Sequence, residues 1–211
     1  HRRGRVVAGT VITALLLIIA ALLYGPIDKN PVQARFEGTT MFVQNAAGRT
    51  VEHIEVGRRT VRKKVKGKAS DLVEFIDVTG DGQNEIVWAE WTGLQTNGAR
   101  QLHCKSVGAD TTHWTIPLRF ATPFSQKMLK GEKFNPVDLH AGDLDANGTK
   151  EVYAVLRHQP YFPGYLMKFN ANTGAEQARY VHPGHLRRSP FKVANLDDDP
   201  AKELLIGAHS N

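Results

Sequence analysis

Three stretches of the chain place oxygen-bearing side chains at alternate positions of a short polar loop. They are residues 75–89 (FIDVTGDGQNEIVWA), 141–155 (AGDLDANGTKEVYAV) and 193–207 (VANLDDDPAKELLIG), which align without gaps at offsets of 66 and 52 residues. The first loop carries Asp77, Thr79, Asp81 and Glu85, the second Asp143, Asp145, Asn147 and Glu151, and the third Asn195, Asp197, Asp199 and Glu203. Counting from the first of these, oxygen side chains recur at loop positions 1, 3, 5 and 9. Alternate residues of a tight turn can point inward around one hard cation, and the flexible all-oxygen coordination of Ca²⁺ suits such a loop better than Mg²⁺ does. The competing reading is an Asx-type turn, in which the same side chains accept hydrogen bonds from backbone N–H groups of the bend.

Glycine at position 6 permits a sharp bend in the first two loops, as Gly82 and Gly148, whereas the third has Pro200, whose ring forbids positive φ. Ligand chemistry therefore ranks the loop of Asp143 first for calcium, that of Asp77, with its weaker Thr79, second, and that of Asn195 third. Glutamate at position 9 has a longer arm than aspartate, long enough to face the turn backbone instead of a metal.

Strands must position these loops. From Thr39 onward the chain runs in short apolar stretches broken by turn dipeptides, with no sustained helical period, so the body reads as nearly all β. A hairpin is expected over residues 41–56 with its turn at 45–48. A strand over 165–169 followed by an Asn/Gly-rich turn at 170–174 repeats the scheme. Each acidic loop has an apolar lead-in before it and an apolar strand after it.

The segments DVTGDGQNEIV and DLDANGTKEVY resemble the FG-GAP and VCBS repeats of bacterial surface proteins, related to the blades of the integrin α-subunit propeller. The resemblance covers roughly residues 39–211. It implies four-stranded blades, a partial or truncated β-propeller, and loops of DxDxDGxxD type that can bind calcium. The chain departs from that pattern in its glutamates at position 9, in Pro200, and in lacking the Phe-Gly element. Three motifs are fewer than the 4 to 8 blades of closed propellers, and Asn211 follows closely on the strand expected at 204–208. The expectation is a partial array with an open sheet edge.

The chain has 211 residues and a formal net charge of +6, which looks like a nucleic-acid signature until it is located. Arg2, Arg3 and Arg5, with seven basic residues between Arg58 and Lys68, account for the excess and leave 17 basic against 21 acidic residues elsewhere. No nucleic-acid partner is expected for the body. The cluster RRTVRKKVKGK lacks interleaved aromatics and reads as a solvated strand pair or turn with lysines guarding an edge; contact with anionic lipid or cell-wall polymer is the functional alternative.

Residues 6–24 carry no charge, and 19 residues of helix span roughly 28 Å, close to a hydrocarbon core of ~30 Å. A basic flank at 1–5, Tyr24 at the far edge and Gly25-Pro26 beyond it fit a single-pass anchor with its N-terminus cytoplasmic and its body periplasmic or extracellular. A cleaved signal peptide is the competing reading, disfavoured by the length of the run and the lack of a clear cleavage site. The organisation expected is thus a flank at 1–5, a transmembrane helix at 6–24, a linker at 25–38 and repeats over 39–211.

Other chemistry finds little support in the sequence. GxSxG, HExxH and GxxxxGK[ST] are absent, and the single Cys104 excludes an intrachain disulfide. His182 and His185 have a spacing possible for zinc, with His158 nearby, but the sequence places no Cys or third ligand beside the pair, and Pro183-Gly184 reads as a turn. Trp88 and Trp91 read as core or rim. The reading is a non-enzymatic binding or sensing module held outside the membrane, with an extracellular protein or carbohydrate as its ligand and Ca²⁺ as a stabilising ion. The alternative is an extracellular hydrolase or lyase whose catalytic residues lie elsewhere on a propeller scaffold.

Overall fold

The computed structural model describes Leu15 and residues 28–56, 72–91, 100–119, 122–124, 127–129, 134–158, 163–186 and 192–209. The expected membrane span at 6–24, apart from Leu15, and the basic cluster at 58–68 lie outside the described residues. No helix among the described residues is long and apolar enough to cross a membrane. What is described is all β.

The first sheet consists of β1 (Gln33–Glu37), β2 (Thr40–Gln44) and β3 (Thr50–Glu55), paired antiparallel in that order. The 41–56 hairpin is present as expected. β1 falls inside the stretch expected to be linker, because Ala34 and Phe36 alternate with polar residues and put a half-buried face against the second sheet. That sheet contains β4 (Val73–Ile76), β5 (Glu85–Trp91), β6 (Arg100–Lys105) and β7 (Trp114–Pro117). A short hairpin, β8 (Thr122–Phe124) with β9 (Lys127–Leu129), leads to a third sheet of β10 (Phe134–Gly142), β11 (Glu151–His158), β12 (Gly164–Asn170) and β13 (Glu176–His182). β14 (His185–Leu186), β15 (Lys192–Ala194), β16 (Glu203–Leu205) and β17 (Ala208–His209) pair as β14 with β17 and β15 with β16.

The period-2 geometry of strands explains how these sheets stack. Along β5, Val87 and Ala89 enter the core shared with the third sheet, while Ile86 and Trp88 enter the core shared with the first. Along β11, Val152, Ala154 and Leu156 face the second sheet, and Val155 joins Val137 and Leu186 on the opposite side. Each middle sheet is therefore buried on both faces. Phe134, Tyr165 and Phe169 are among the largest side chains excluded from solvent, each worth about 1.5–3 kcal/mol relative to exposure. Trp88 lies in this interior as expected. The Trp91 side chain is outside the described set.

Two kinds of turn recur. All three acidic loops link consecutive antiparallel strands: β4 to β5, β10 to β11 and β15 to β16. The turns that join the last two strands of the first, second and third sheets, β2–β3, β6–β7 and β12–β13, each contain a glycine with positive φ: Gly48 at 73°, Gly108 at 75° and Gly174 at 72°. Asn45 and Asn170 brace two of these turns through their side-chain oxygens, which accept from Ala47 and Arg49 N–H and from Asn172 and Thr173 N–H respectively. The turn at 170–174, expected from its Asn/Gly content, also receives the Trp114 indole, whose Nε1–H donates to the Ala171 carbonyl at 2.8 Å.

Candidate functional site

The residue at position 1 of each acidic loop is spent on the loop's own backbone. Asp77 accepts from Gly80 N–H (2.6 Å) and Gly82 N–H (3.1 Å), and Asp143 accepts from Asn147 N–H (3.1 Å) and Gly148 N–H (3.0 Å). Asn195 accepts from Asp198 N–H at 2.8 Å. Position 5 folds back as well: Asp81, Asn147 and Asp199 accept from the N–H two residues on, at Gln83, Thr149 and Ala201. These are Asx turns, and they satisfy donors that the sharp bend would leave unpaired.

Glycine at position 6 behaves as its type predicts, with φ of 85° at Gly82 and 83° at Gly148. Position 4 is a second left-handed site that the spacing of oxygens did not announce. Gly80 takes φ 80° there, but Ala146 (54°) and Asp198 (63°) occupy it without glycine's freedom.

The glutamates at position 9 turn inward. Glu85, 1% exposed, accepts from Val78 N–H (2.8 Å) and Thr79 N–H (3.3 Å) through Oε2 and from the Ser106 hydroxyl (3.0 Å) through Oε1. Glu203 Oε2 accepts from Leu196 N–H at 2.7 Å. In these two loops the long arm braces the turn backbone. What Thr79 brings to its loop is its backbone N–H.

Glu151 is compensated differently. It is fully buried, with its Oε1 lying 3.3 Å from Lys168 Nζ; that ammonium also donates to Asp145 Oδ2 at 2.8 Å. The Tyr153 hydroxyl is 3.4 Å from Glu151 Oε2, and burial followed by the Glu151 charge pushes its pKa up to about 12. The hydrogen bond from Lys168 holds the Asp145 carboxyl below the ordinary value of 3.8. Burial acts to raise Asp77, but hydrogen bonds from Gly80 and Gly82 and the Lys150 charge outweigh it and leave that carboxyl lowered too.

Among the described residues, two acidic groups have ligand atoms within 4.8 Å of one another: Asp143, Asp145 and Glu151, and Asp197, Asp199 and Glu203. Asp77, Asp81 and Glu85 form no such group. The ammonium that lies within the second loop's group belongs to Lys168, a residue that ligand spacing did not single out. Its signal in the sequence is a lone charge within the apolar run YLMKF. The third group is largely exposed and makes no ion pair among the described residues. No histidine belongs to either group; His158 is buried edge-on to Phe134, and His182 Nδ1 accepts from Gly184 N–H within the expected turn. Cys104 is buried, and burial together with Glu85 raises its thiol to about 12, which makes it inert.

The residue at position 8 of each loop reaches an earlier segment of the chain. Asn84 donates its N–H to Asn30 Oδ1 (2.8 Å) and its side-chain amide to the Pro31 carbonyl (2.9 Å), both preceding the first sheet. Lys150 reaches Asp77 in the first loop, and Lys202 N–H donates to the Leu144 carbonyl in the second at 2.6 Å. Leu144 is 6% exposed, whereas Leu196, at the same position of the third loop, is 61% exposed. Between the first and second loops lies a polar cleft of about 340 Å³, walled by Asp77, Thr79, Thr149, Lys150, Asn172 and Thr173. No protein-family profile, curated protein or solved structure matches this chain.

Proposed function

We propose that the stacked sheets are consecutive blades of an FG-GAP/VCBS-type propeller, held outside the membrane by residues 6–24 as a binding or sensing module. One observation carries this reading: the first and second acidic loops join the first two strands of four-stranded sheets, the third joins β15 to β16, and the eighth residue of each docks on an earlier segment, at Asn30 and Pro31, at Asp77 and at Leu144 respectively. A regular head-to-tail link of this kind lines up loops along one edge of a rigid sheet stack, an arrangement suited to recognition without covalent chemistry. The cleft between the first two loops is the surface on which an extracellular protein or carbohydrate would be read. Calcium is not required by this reading, because the bends are already closed by backbone N–H donors.

Topology and binding are tested together with the full 211-residue chain. A periplasmic-type phosphatase fused after Asn211 is expected to be active, and carbonate extraction should leave the chain in the membrane. Immobilised extracellular polysaccharides and matrix proteins are then screened with the wild type and with Thr149→Lys, which fills the cleft with charge; capture that this variant loses supports the proposal. Release of a soluble body with a new N-terminus near residue 30 would replace the anchor by a signal peptide, and capture indifferent to Thr149→Lys would remove the cleft from the reading.

A further inference from the structure

We infer that Lys168 is the resident cation of the second loop, so that the cluster of Asp143, Asp145 and Glu151 keeps its shape without calcium. A fully buried carboxylate needs a compensating partner, since an isolated charge taken out of water is strongly disfavoured. For Glu151 that partner arrives from the neighbouring strand. Lys168 pairs in register with Tyr153, two residues beyond Glu151, and its Nζ lies 5.9 Å from the Tyr153 ring while contacting both Asp145 and Glu151.

The first loop supplies an internal comparison. There the residue two beyond Glu85 is Val87, and its registered partner is Cys104, which brings no charge. Glu85 is satisfied by two backbone N–H groups and the Ser106 hydroxyl, and Asp77, Asp81 and Glu85 do not converge among the described residues. The first loop's ammonium, Lys150, comes from the second loop and reaches Asp77 alone, whereas Lys168 contacts two of the three carboxylates that meet in the second loop. A divalent ion placed among them would stand within a few ångströms of Lys168, and like charges at that distance repel strongly in a partly desolvated site. Removing the amine while keeping the aliphatic stem should therefore open a calcium site that the wild type lacks.

The test uses the full chain in mild detergent, with Asp199→Asn in every background to eliminate the third cluster. Tb³⁺ serves as the probe because Tyr153 is placed to sensitise its emission. Lys168→Met is expected to raise sensitised emission by at least about five-fold over the parent, and about 5 mM Ca²⁺, well above the ~10⁻⁴ M constants of extracellular calcium loops, is expected to quench it and raise the melting temperature. The parent should melt alike in calcium and in chelator. A parent chain that calcium stabilises, with the gain lost in Asp145→Asn, overturns the inference, as does a folded Lys168→Met that binds neither ion. Should Lys168→Met fail to fold, the calcium response of the parent against Asp145→Asn decides: none in either supports the assignment, and a response confined to the parent refutes it.

Discussion

The Lys150 ammonium leaves the second loop to donate to the Asp77 carbonyl oxygen in the first, and it lies 3.8 Å from Asp77 Oδ2. Two adjacent sheets are thereby tied at their loop edge. Both side chains are partly exposed, so solvent screens the pair. Lys150→Met should lower the melting temperature by about 2 °C or less while clearly speeding amide exchange at Gly80 and Gly82, as expected for a local tie rather than a core contact. Exchange followed by mass spectrometry or NMR checks this, and unchanged rates at both glycines would deny the tie any role.

Left-handed positions in the loops give a signed pair of predictions. Ala146 holds φ 54° at a cost that glycine does not bear, so Ala146→Gly should stabilise by about 0.5 kcal/mol after the extra unfolded-chain entropy of glycine is subtracted. Gly148→Ala, at φ 83° with open space around a built Cβ, should destabilise by about 1 kcal/mol through the backbone alone. Urea unfolding of both variants measures the two signs.

Glu85 organises the first loop from inside. Glu85→Ala would leave the N–H groups of Val78 and Thr79 and the Ser106 hydroxyl without their acceptor, a loss of about 3 kcal/mol, while Glu85→Gln keeps an oxygen for Val78 and should lose less than half as much. Equal losses in chemical denaturation would mean that volume, and not hydrogen bonding, is what the loop needs.

Acid should loosen the loops before the cores. Asp77 and Asp145 have folded-state values below the ordinary 3.8, so their stabilisation is complete above that pH and is lost as pH falls through the lower folded-state values. The unfolding midpoint should therefore drop between about pH 4 and the acid limit of the folded state, and Asp145→Asn should flatten that drop. A pH series of urea titrations reports it, and an identical slope in the variant would place the acid sensitivity elsewhere.

Gly174 marks how tightly the sheets meet: a Cβ there would come within 2.9 Å of the Trp114 ring, in a backbone of φ 72°. The turn at 170–174 was legible from Asn170 and Gly174 alone, because turn chemistry is local. That Trp114, far away in the chain, closes over it was not.

The same division runs through the molecule. The order of residues alone sets the β class, the three strand–loop–strand units and the bends at Gly82 and Gly148, since alternation, turn residues and glycine's access to positive φ act over a few neighbouring residues. It also indicated that the long arm of glutamate suits bracing a loop, as Glu85 and Glu203 do. Packing in three dimensions was needed to place β1 in the first sheet, to make position 4 left-handed at Ala146 and Asp198, and to bring Lys168 among the carboxylates of the second loop. Those outcomes depend on which strand lies beside which and on the charge that strand carries into a buried space, so no spacing within the loop itself could have shown them.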